Sequence, residues 1–511
     1  MSRRIGWGPW VPGSLIATAV VGAALGAALS AAERPNVLLI CVDDLKPTLG
    51  CFGDPHARTP QMDRLARHGV TFLAAYVNQA VCAPSRNALM TGLRPDQIGV
   101  YDLATWFRHG APEAVTLSQR FMQHGYHAES MGKIYHRGHG NVIDPASWSV
   151  RSWFPGGNDV PNDVTGGPKP PEGAKVDPRP QDSGAPRGAP WGWPDAPDAG
   201  FSDGKLALHA VERLDALVKD GKPFFLAVGF AKPHLPFIAP KRYWDLFDPA
   251  KLPLHPVDAG LPKGAPAFAG HQFGELRNYS DIQAVGPLTR EQARTMVHGY
   301  YAATAFVDAQ IGLVLDALDR LELWKNTVVV LWGDHGWHLG DHGLWCKHTN
   351  FEQATRNPVI VAAPGKIAGR STKALMQTVD LYPTLCALAG IEPPPGLAGK
   401  SLVPLLEDAN ARVQDAVFHC YPRGGKEGAL LGRAVRTERH RYVEWRSFAD
   451  DSVKGRELYD YQTDPGETEN LAERPEHAAL VQELAGRIAA LGPAKPQVRK
   501  DPRVKEPEDA H

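Results

Sequence analysis

The stretch "NVLLICVDD", residues 36–44, is an apolar run that ends in two carboxylates. An uninterrupted apolar run of this length predicts a strand that is buried on both faces of a parallel sheet. In an open α/β sheet, the carboxyl ends of such strands open onto the ligand crevice. Asp43 and Asp44 are therefore predicted to lie at a functional site.

Further apolar runs predict additional buried strands of the same sheet, at residues 224–230, 326–333 and 358–365. His234 follows the first of these runs, and Asp334 and His335 end the second, so polar residues again stand at strand ends. Apolar residues at helical spacing lie between the runs, for example in residues 61–70 and 300–321. This alternation predicts an α/β sandwich with a large, mostly parallel sheet between helices.

Composition limits the classes of protein that remain. The chain has 511 residues, 43% of them hydrophobic, which is enough for a large core and two domains. Lys and Arg total 55 against 56 Asp and Glu, so no net charge attracts the chain to nucleic acid or to an anionic membrane. Six cysteines in so long a chain exclude a domain built on disulfides but leave one or two bridges open.

The chain divides into four predicted parts. Residues 1–32 have the basic start, apolar centre and small-residue end of a signal peptide. The rival interpretation is a membrane anchor, but the apolar run is shorter than the roughly 20 residues that a span prefers. Residues 33–410 form a catalytic domain, 411–495 a small C-terminal α+β domain with an antiparallel sheet, and 496–511 a tail. We therefore expect an exported protein, periplasmic or secreted, or lysosomal if the source is eukaryotic.

Within the catalytic domain, residues 155–200 are rich in Pro, Gly and Asp and have no apolar period. This composition predicts a long surface excursion. Two interpretations stay open, a disordered loop and a loop that shapes a pocket.

The polar clusters at the strand ends predict a metal site. Several carboxylates on one centre repel each other unless a cation neutralises them, and a hard divalent ion such as Ca²⁺ is the expected occupant. His335 is unusual in such a site, because imidazole suits softer metals than Ca²⁺.

The segment "CAPSR", residues 82–86, resembles the sulfatase signature Cys-x-Pro-Ser-Arg. The plain alternative is a small buried cysteine at the start of a helix. "GKIYH" at 132–136, "KPHLPF" at 232–237 and "GDHGWHLGDHGLWCKHTNFE" at 333–352 follow in the order that the sulfatase family uses. The chain thus resembles the formylglycine-dependent sulfatases of the alkaline-phosphatase-like superfamily. Its motifs, and His335 where many other sulfatases place Asn, are most similar to the iduronate-2-sulfatase branch.

The resemblance implies a role for each candidate residue. Cys82 would be converted to formylglycine by a separate formylglycine-generating enzyme. One divalent metal would be held by Asp43, Asp44, Cys82, Asp334 and His335.

The resemblance also implies the residues that act on the substrate. Lys133 and Lys347 would bind the sulfate oxygens, and Arg86 would steady the nucleophile and the carboxylates of the metal site. His234 is the expected general acid, with Lys347 as the second choice, and His136 is the expected base.

The function expected from this resemblance is hydrolysis of a sulfated carbohydrate, at the 2-O-sulfate of a uronic acid. No nucleic acid partner and no stable membrane insertion are expected. A phosphomonoester or phosphonate ester hydrolase of the same superfamily is one alternative, although such phosphatases generally use two metals and only one carboxylate cluster is evident. An inactive carbohydrate-binding homologue is the other, and it would require a broken metal or nucleophile position.

Overall fold

The computed structural model describes residues 1–2, 34–156, 188–424 and 428–507. The predicted signal peptide therefore lies almost wholly outside the described residues, as does most of the predicted excursion at 155–200. Both stay predictions.

The strands of the described residues are β1 (Asn36–Val42), β2 (Val70–Phe72), β3 (Ala75–Tyr76), β4 (His127–Gly132), β5 (Trp191–Gly192), β6 (Phe224–Phe230), β7 (Phe237–Ile238), β8 (Thr327–Gly333), β9 (His338–Leu339), β10 (Trp345–Cys346), β11 (Val359–Ala362), β12 (Arg370–Thr372), β13 (Met376–Gln377), β14 (Ala416–Arg423), β15 (Leu430–Thr437), β16 (His440–Ser447) and β17 (Val453–Asp460). The α-helices are α1 (Pro60–His68), α2 (Cys82–Thr91), α3 (Pro95–Ile98), α4 (Leu117–Met122), α5 (Ser202–Asp220), α6 (Lys241–Trp244), α7 (Gly274–Arg277), α8 (Arg290–Arg320), α9 (Glu352–Thr355), α10 (Leu381–Leu388), α11 (Val403–Glu407) and α12 (Ala478–Ala489).

The central sheet has the strand order β12-β2-β11-β8-β1-β6-β4. β1 lies in its middle and runs parallel to both β6 and β8, and β6 is also parallel to β4. Every residue of β1, β6 and β8 is buried, which explains why these segments read as unbroken apolar runs. The predicted parallel arrangement of these three strands is confirmed.

The strand β11 corrects one prediction. Residues 358–365 do form a strand, but β11 runs antiparallel to both β8 and β2. A parallel pair needs a crossover helix that carries the chain back to the starting edge. The chain between β8 and β11 holds only short elements, so it returns from the same edge at which β8 ended.

Helices cover both faces of the sheet. One face packs against α1, α5 and α8, through residues such as Leu65, Leu214 and Val307. The other packs against α2, α4 and α10, through residues such as Leu89 and Phe121. Among the described helices only α8 is long and apolar enough to cross a membrane, and 83% of its most apolar window is buried inside the protein, as expected of a core helix. The α/β sandwich is confirmed.

The C-terminal strands β14 to β17 form an antiparallel sheet in chain order, with α12 packed on it through Leu484 and Ile488. The predicted antiparallel sheet is confirmed. Beyond α12 the chain turns back onto the catalytic domain, where the Lys495 N–H donates to the Asp96 carbonyl at 2.9 Å. All six cysteines are free, so the described structure contains none of the bridges that the sequence left open.

Candidate active site

Four neighbouring strands of the sheet end at the same edge. Val42, the last residue of β1, lies opposite Phe230 of β6 and Gly333 of β8, while Gly132 of β4 lies opposite Gly229. The chain that follows these ends carries predicted site residues in each case: Asp43 and Asp44 after β1, Lys133 after β4, His234 after β6, and Asp334 and His335 after β8. Their convergence is therefore set by the register of the sheet.

Asp43 and Asp44 begin the loop after β1, and both side chains are buried. Asp44 has a φ of 58°, in the left-handed region that few residues other than glycine adopt. Its backbone is held on both sides, because its N–H donates to Asp334 Oδ1 at 2.9 Å and its carbonyl accepts from the Tyr300 hydroxyl at 2.7 Å. Such a conformation is typical of functional sites, where surrounding contacts keep it in place.

Cys82 is the first residue of α2, and its side chain is buried at the centre of the site. Its Sγ lies 3.5 Å from Asp43 Oδ1, 3.4 Å from His335 Nε2 and 3.7 Å from Lys133 Nζ. Burial, followed by the charge of Asp43, raises the pKa of the thiol well above its usual value. An unmodified Cys82 would therefore be a poor nucleophile, because only the thiolate attacks.

Arg86 lies one turn further along α2 and is completely buried. Its guanidinium donates to Asp334 Oδ2 through Nε and to Asp43 Oδ1 through a terminal nitrogen, both at 3.0 Å. It also donates to the carbonyl of Lys133. Arg86 thus joins the ends of β1, β8 and β4.

His335 is oriented by a backbone carbonyl. Its Nδ1 lies 2.9 Å from the Gly336 carbonyl, which can only accept a hydrogen bond, so Nδ1 carries a hydrogen. Nε2 is the nitrogen that faces the carboxylates, and it lies 3.2 Å from Asp44 Oδ1 and 3.6 Å from Asp334 Oδ1. A metal-ligating histidine is typically oriented in this way by a backbone carbonyl.

The donor atoms suit a divalent cation. Ligand atoms of Asp43, Asp44, Cys82 and His335 all lie within 4.8 Å of one another. Burial, followed by effects of neighbours that include Asp43, raises the pKa of Asp334. Burial is the largest cause of this rise, and a divalent cation at these atoms would lower the pKa of Asp334 again.

Two lysines flank the carboxylates. Lys133 Nζ donates to Asp43 Oδ2, and Lys347 Nζ donates to Asp44 Oδ1 at 2.9 Å. Burial would raise the pKa of Asp43, but Lys133, His234 and Arg86 outweigh it and hold that pKa well below its usual range. Both ammonium groups therefore lie beside the predicted nucleophile and can attract a bound anion.

Glu275, on the four-residue helix α7, is a site residue that the sequence analysis missed. Its carboxylate lies 3.0 Å from Lys347 Nζ and 3.1 Å from His234 Nε2. Burial would raise its pKa, but Lys347 and His234 outweigh burial and hold the pKa well below its usual range. No motif surrounds Glu275, so only the structure reveals it.

His234 meets an acceptor at each ring nitrogen. Nδ1 lies 2.6 Å from the Leu235 carbonyl, and Nε2 lies 3.1 Å from Glu275 Oε1 and 3.8 Å from Asp44 Oδ2. Neither a carbonyl nor a carboxylate oxygen donates, so each nitrogen of His234 faces an atom that can accept its hydrogen. These contacts suit a residue that acts as a general acid.

His136 lies near this cluster but contacts a different residue. Its Nε2 is 3.1 Å from Nδ1 of His139, a second residue that the sequence analysis did not single out. Burial, followed by Lys133, lowers the pKa of His136 well below its usual value. The spacing of the two histidines in "HRGH" was the only sequence signal for this pair.

The chain is similar to known proteins over most of its length. The Sulfatase family model matches residues 35–391, and a model described as N-sulphoglucosamine sulphohydrolase, C-terminal, matches residues 340–493. Human iduronate 2-sulfatase is 32% identical over 529 aligned residues, which cover 89% of this chain and 94% of that protein.

Two solved structures share the fold. One, in complex with its substrate D-glucosamine-2-N,6-O-disulfate, has a TM-score of 0.71 at 21% identity and covers 90% of this chain and 97% of that chain. The phosphonate monoester hydrolase of Agrobacterium radiobacter has a TM-score of 0.69 at 24% identity, with coverages of 90% and 95%. At these identities the similarity shows the fold alone.

Proposed function

Because the chain belongs to the sulfatase family and is a sulfuric ester hydrolase, we propose that it removes the 2-O-sulfate of a uronic acid in a sulfated carbohydrate. The observation that carries the proposal is the convergence of Cys82 with carboxylates and lysines at four strand ends. The similarity to human iduronate 2-sulfatase supports the choice of sugar.

The proposal includes a modified residue and a metal. Formylglycine at position 82 supplies a hydrated aldehyde, whose two hydroxyls on one carbon allow attack on sulfur and then release of sulfate. A divalent cation, Ca²⁺ by the hardness of its donors, supplies positive charge that lowers the pKa of a hydroxyl beside it. Asp43, Asp44, Asp334, His335 and residue 82 would hold that cation. A formylglycine-generating enzyme is the maturation partner that this chemistry requires.

The charges of the site favour a sulfate ester. Four carboxylates, those of Asp43, Asp44, Asp334 and Glu275, face three fixed cations, Arg86, Lys133 and Lys347. One divalent ion would therefore leave the site with a small positive charge, which suits the single charge of a sulfate monoester. A phosphate dianion would gain more from a second metal. A second metal would need ligands such as Asp44, His234 and Glu275. The Lys347 ammonium already lies between Asp44 and Glu275, so it would compete with that metal.

Four further side chains of the site have proposed roles in binding the sulfate, protonating the leaving group and holding the carboxylates. Lys133 and Lys347 bind the sulfate oxygens and stabilise the charge that develops on them. His234 is the general acid and donates a proton to the departing sugar oxygen. Arg86 keeps the carboxylates of Asp43 and Asp334 in place through its planar fork.

His136 completes the set as a base. Its pKa is low, so the ring is neutral at ordinary pH and available to accept a proton. We also propose that the protein is exported, on the signal peptide predicted in residues 1–32.

The proposal is tested by comparing turnover of an aryl sulfate, a phosphate monoester, a phosphonate ester and a panel of sulfated oligosaccharides. The protein is produced beside a formylglycine-generating enzyme, and peptide mass spectrometry measures the modification of Cys82. We expect sulfate esters to dominate, a terminal 2-O-sulfated uronic acid to be preferred, and exhaustive chelation to abolish turnover. Preference for phosphate esters would overturn the reaction class, and preference for another sulfated sugar would overturn only the substrate.

A further inference from the structure

Arg423, the last residue of β14, is a cation with which no carboxylate among the described residues forms an ion pair. Its guanidinium donates to four backbone carbonyls, those of Phe268 at 2.8 Å, Pro422 at 3.2 Å, Ala269 at 3.3 Å and His348 at 2.5 Å. These carbonyls fix the guanidinium in place, but they carry no net charge. The positive charge of Arg423 is therefore left without a counter-ion.

The pKa of Arg423 reflects this lack of an anion. Burial, the largest cause, lowers it, and neither Tyr421 nor the distant carboxylate of Glu457 outweighs burial. Burial would lower the pKa of Arg86 as well, but the carboxylates beside Arg86 outweigh it and raise that pKa. A buried cation without its anion is costly, so the position of Arg423 suits an anion that comes from outside the chain.

Arg423 lies next to the segment that carries Lys347. Cys346 and His348, the two neighbours of Lys347, have φ values of 71° and 65°, so the backbone turns on both sides of the lysine. The His348 carbonyl in this turn is the one that accepts from Arg423. Burial lowers the pKa of the His348 ring to about 3, and Lys347 and Arg423 both reinforce burial. The charges of both cations therefore act on the same neutral ring.

Aromatic rings line the way from Arg423 to Lys347. The His348 ring lies 6.2 Å from that of Tyr421, between centroids, and the Arg423 guanidinium lies over the Tyr421 ring, 4.3 Å from its centroid. The His348 side chain is 22% exposed, so solvent and ligands reach this wall. Burial raises the pKa of Tyr421 to about 12 although Arg423 and Lys347 oppose it. The Tyr421 hydroxyl consequently keeps its hydrogen and can donate it to an anion.

The charge of the proposed substrate requires a cation in this place. Three fixed cations and one divalent ion against four carboxylates leave one positive charge, which the sulfate takes up. A uronic acid carries a second negative charge, on its carboxylate. This carboxylate is attached across the pyranose ring from the carbon that bears the 2-O-sulfate. It therefore needs a cation that stands apart from the lysines that bind the sulfate.

We propose that Arg423, together with the hydroxyl of Tyr421, binds the carboxylate of the uronic acid whose 2-O-sulfate lies at Lys133 and Lys347. Arg423 is then a specificity-determining residue, because a hydrogen bond between a guanidinium and a carboxylate is stronger than one to a neutral hydroxyl. The carbonyls that hold the guanidinium keep it oriented before the sugar arrives. This subsite rests on the proposed function, since that function supplies the carboxylate.

The test uses a matched pair of substrates. One is a disaccharide with a terminal 2-O-sulfated uronic acid, and the other is the same disaccharide with the carboxylate reduced to an alcohol. We expect the unaltered protein to prefer the carboxylate form in kcat/KM, on the order of 10²-fold. Arg423→Gln, which keeps donors for the carbonyls but loses the charge, should lower kcat/KM for the carboxylate form about 30- to 100-fold, mainly through KM. The reduced form should change less than about 3-fold.

Two further variants complete the kinetics. Tyr421→Phe keeps the ring and removes only the hydroxyl, so it should lower the preference for the carboxylate form by about 3- to 10-fold. This variant also tests the subsite if Arg423→Gln does not fold. Arg120→Gln is the control, because Arg120 donates to the Glu392 carbonyl on the α4 side of the sheet, far along the chain from the active-site motifs. It should match the unaltered protein on both substrates.

The outcomes separate the subsite from a structural role and from the proposed function. Equal losses on both substrates would overturn the subsite, because Arg423 would then act only through the His348 carbonyl and the placement of Lys347. If the unaltered protein prefers the carboxylate form and both Arg423→Gln and Tyr421→Phe keep that preference, the subsite is wrong and the proposed function stands. If the unaltered protein cleaves sulfate esters without this preference, the choice of sugar fails and the subsite fails with it.

Calorimetric binding gives a readout that needs no turnover. Both disaccharides are titrated into protein with unmodified Cys82, and the Kd of each form is measured for the unaltered chain and for the same three variants. We expect the carboxylate form to bind more tightly to the unaltered chain and to lose most of this advantage in Arg423→Gln. Equal binding of the two forms by the unaltered chain would overturn the subsite, whatever reaction the modified enzyme performs.

Discussion

Two of the places where the described residues bury ionised side chains are built differently. The active-site cluster, formed by Asp43, Asp44, Asp334, Arg86, Lys133, Lys347 and Glu275, lies at the carboxyl edge of the central sheet. The C-terminal pair, Arg441 and Glu467, lies against the C-terminal sheet, with Arg441 Nε 2.7 Å from Glu467 Oε1.

In the C-terminal pair the carboxylate is satisfied by the chain, whereas both terminal nitrogens of Arg441 are buried without a hydrogen bond among the described residues. Glu467 also accepts from the Tyr461 hydroxyl at 2.5 Å and from the Glu352 N–H at 3.1 Å. The Arg441 guanidinium lies over the ring of Tyr459, 4.6 Å from its centroid. Burial would raise the pKa of Glu467, but Arg441 and the hydrogen bonds hold it well below its usual value.

The active-site cluster is left with an excess of acid. Arg86 and two lysines do not balance its four carboxylates, the pKa of Asp334 is raised, and Nε2 of His335 faces the same carboxylates. The difference indicates that a buried carboxylate serves stability where the chain supplies its partners, as it does for Glu467. A buried carboxylate is typical of a functional site where several carboxylates share too few cations of the chain.

The largest expected effect tests the active-site cluster. Asp334→Asn removes a carboxylate that both Arg86 and the Asp44 backbone contact. We expect kcat on a sulfate ester to fall on the order of 10³-fold or more, because the nucleophile and its cation are both misplaced. The thermal midpoint should stay within about 2 °C, since burial already raises the pKa of Asp334 and the amide oxygen of Asn can still accept from Arg86 and the Asp44 N–H. Asp316→Asn, at an exposed ion pair with Arg64, is the control and should change neither quantity.

The second effect tests the C-terminal pair. Arg441→Met leaves Glu467 buried without its cation, and breaking a buried pair in this way costs roughly 3–5 kcal/mol. Denaturant unfolding of the whole chain measures the loss, and kcat at a temperature where the variant is folded should be unchanged. Arg439→Met, at a half-exposed pair with Asp460, should cost at most about 1 kcal/mol. If Arg441→Met lowers kcat strongly and leaves stability unchanged, the C-terminal pair does not serve stability as we expect.

The third effect concerns Glu275, which joins the active-site cluster to His234. Glu275→Gln removes the charge that favours the protonated ring, so we expect kcat on a sugar sulfate to fall about 10- to 100-fold. An aryl sulfate with a good leaving group needs less help from an acid, and its turnover should fall much less. Glu322→Gln, an exposed glutamate, serves as the control. Equal losses on both substrates would show that Glu275 does not assist His234 as the general acid.

The smallest effect is expected for the ion pair of His255 and Asp341, in which one side chain is buried and the other is half exposed. His255 Nε2 lies 2.9 Å from Asp341 Oδ1, in a loop that includes the metal motif, and the His255 side chain is 47% exposed. The hydrogen bond to Asp341 raises the pKa of His255, so its stabilisation is present below about pH 6.5, the unperturbed value, and is lost as pH rises through the folded pKa. His255→Gln should lower the thermal midpoint by about 1–2 °C at pH 6. At pH 8.5 the two proteins should coincide, and an equal difference at both values would show that the charge is irrelevant.

Part of the site could be predicted from the sequence, because its residues stand directly after buried strands. Asp43 and His335 stand directly after runs that could only be buried strands, and parallel neighbours must end at one edge. Cys82 and Arg86 were found through a short motif, and the structure brings both against the same carboxylates. Glu275 had no such signal, since it lies on a four-residue helix and meets Lys347 across 72 residues of chain.

The sequence by itself determined the α/β sandwich, the strand ends and the residue types that gather there, because apolar runs and strand register follow from local pattern. Only the tertiary structure decided that β11 runs antiparallel, that Glu275 faces His234, and that His136 bonds to His139. It also decided which nitrogen of His335 faces the carboxylates. The physical reason is that a side chain's contacts and a strand's direction depend on partners from distant loops, and no local pattern places those loops.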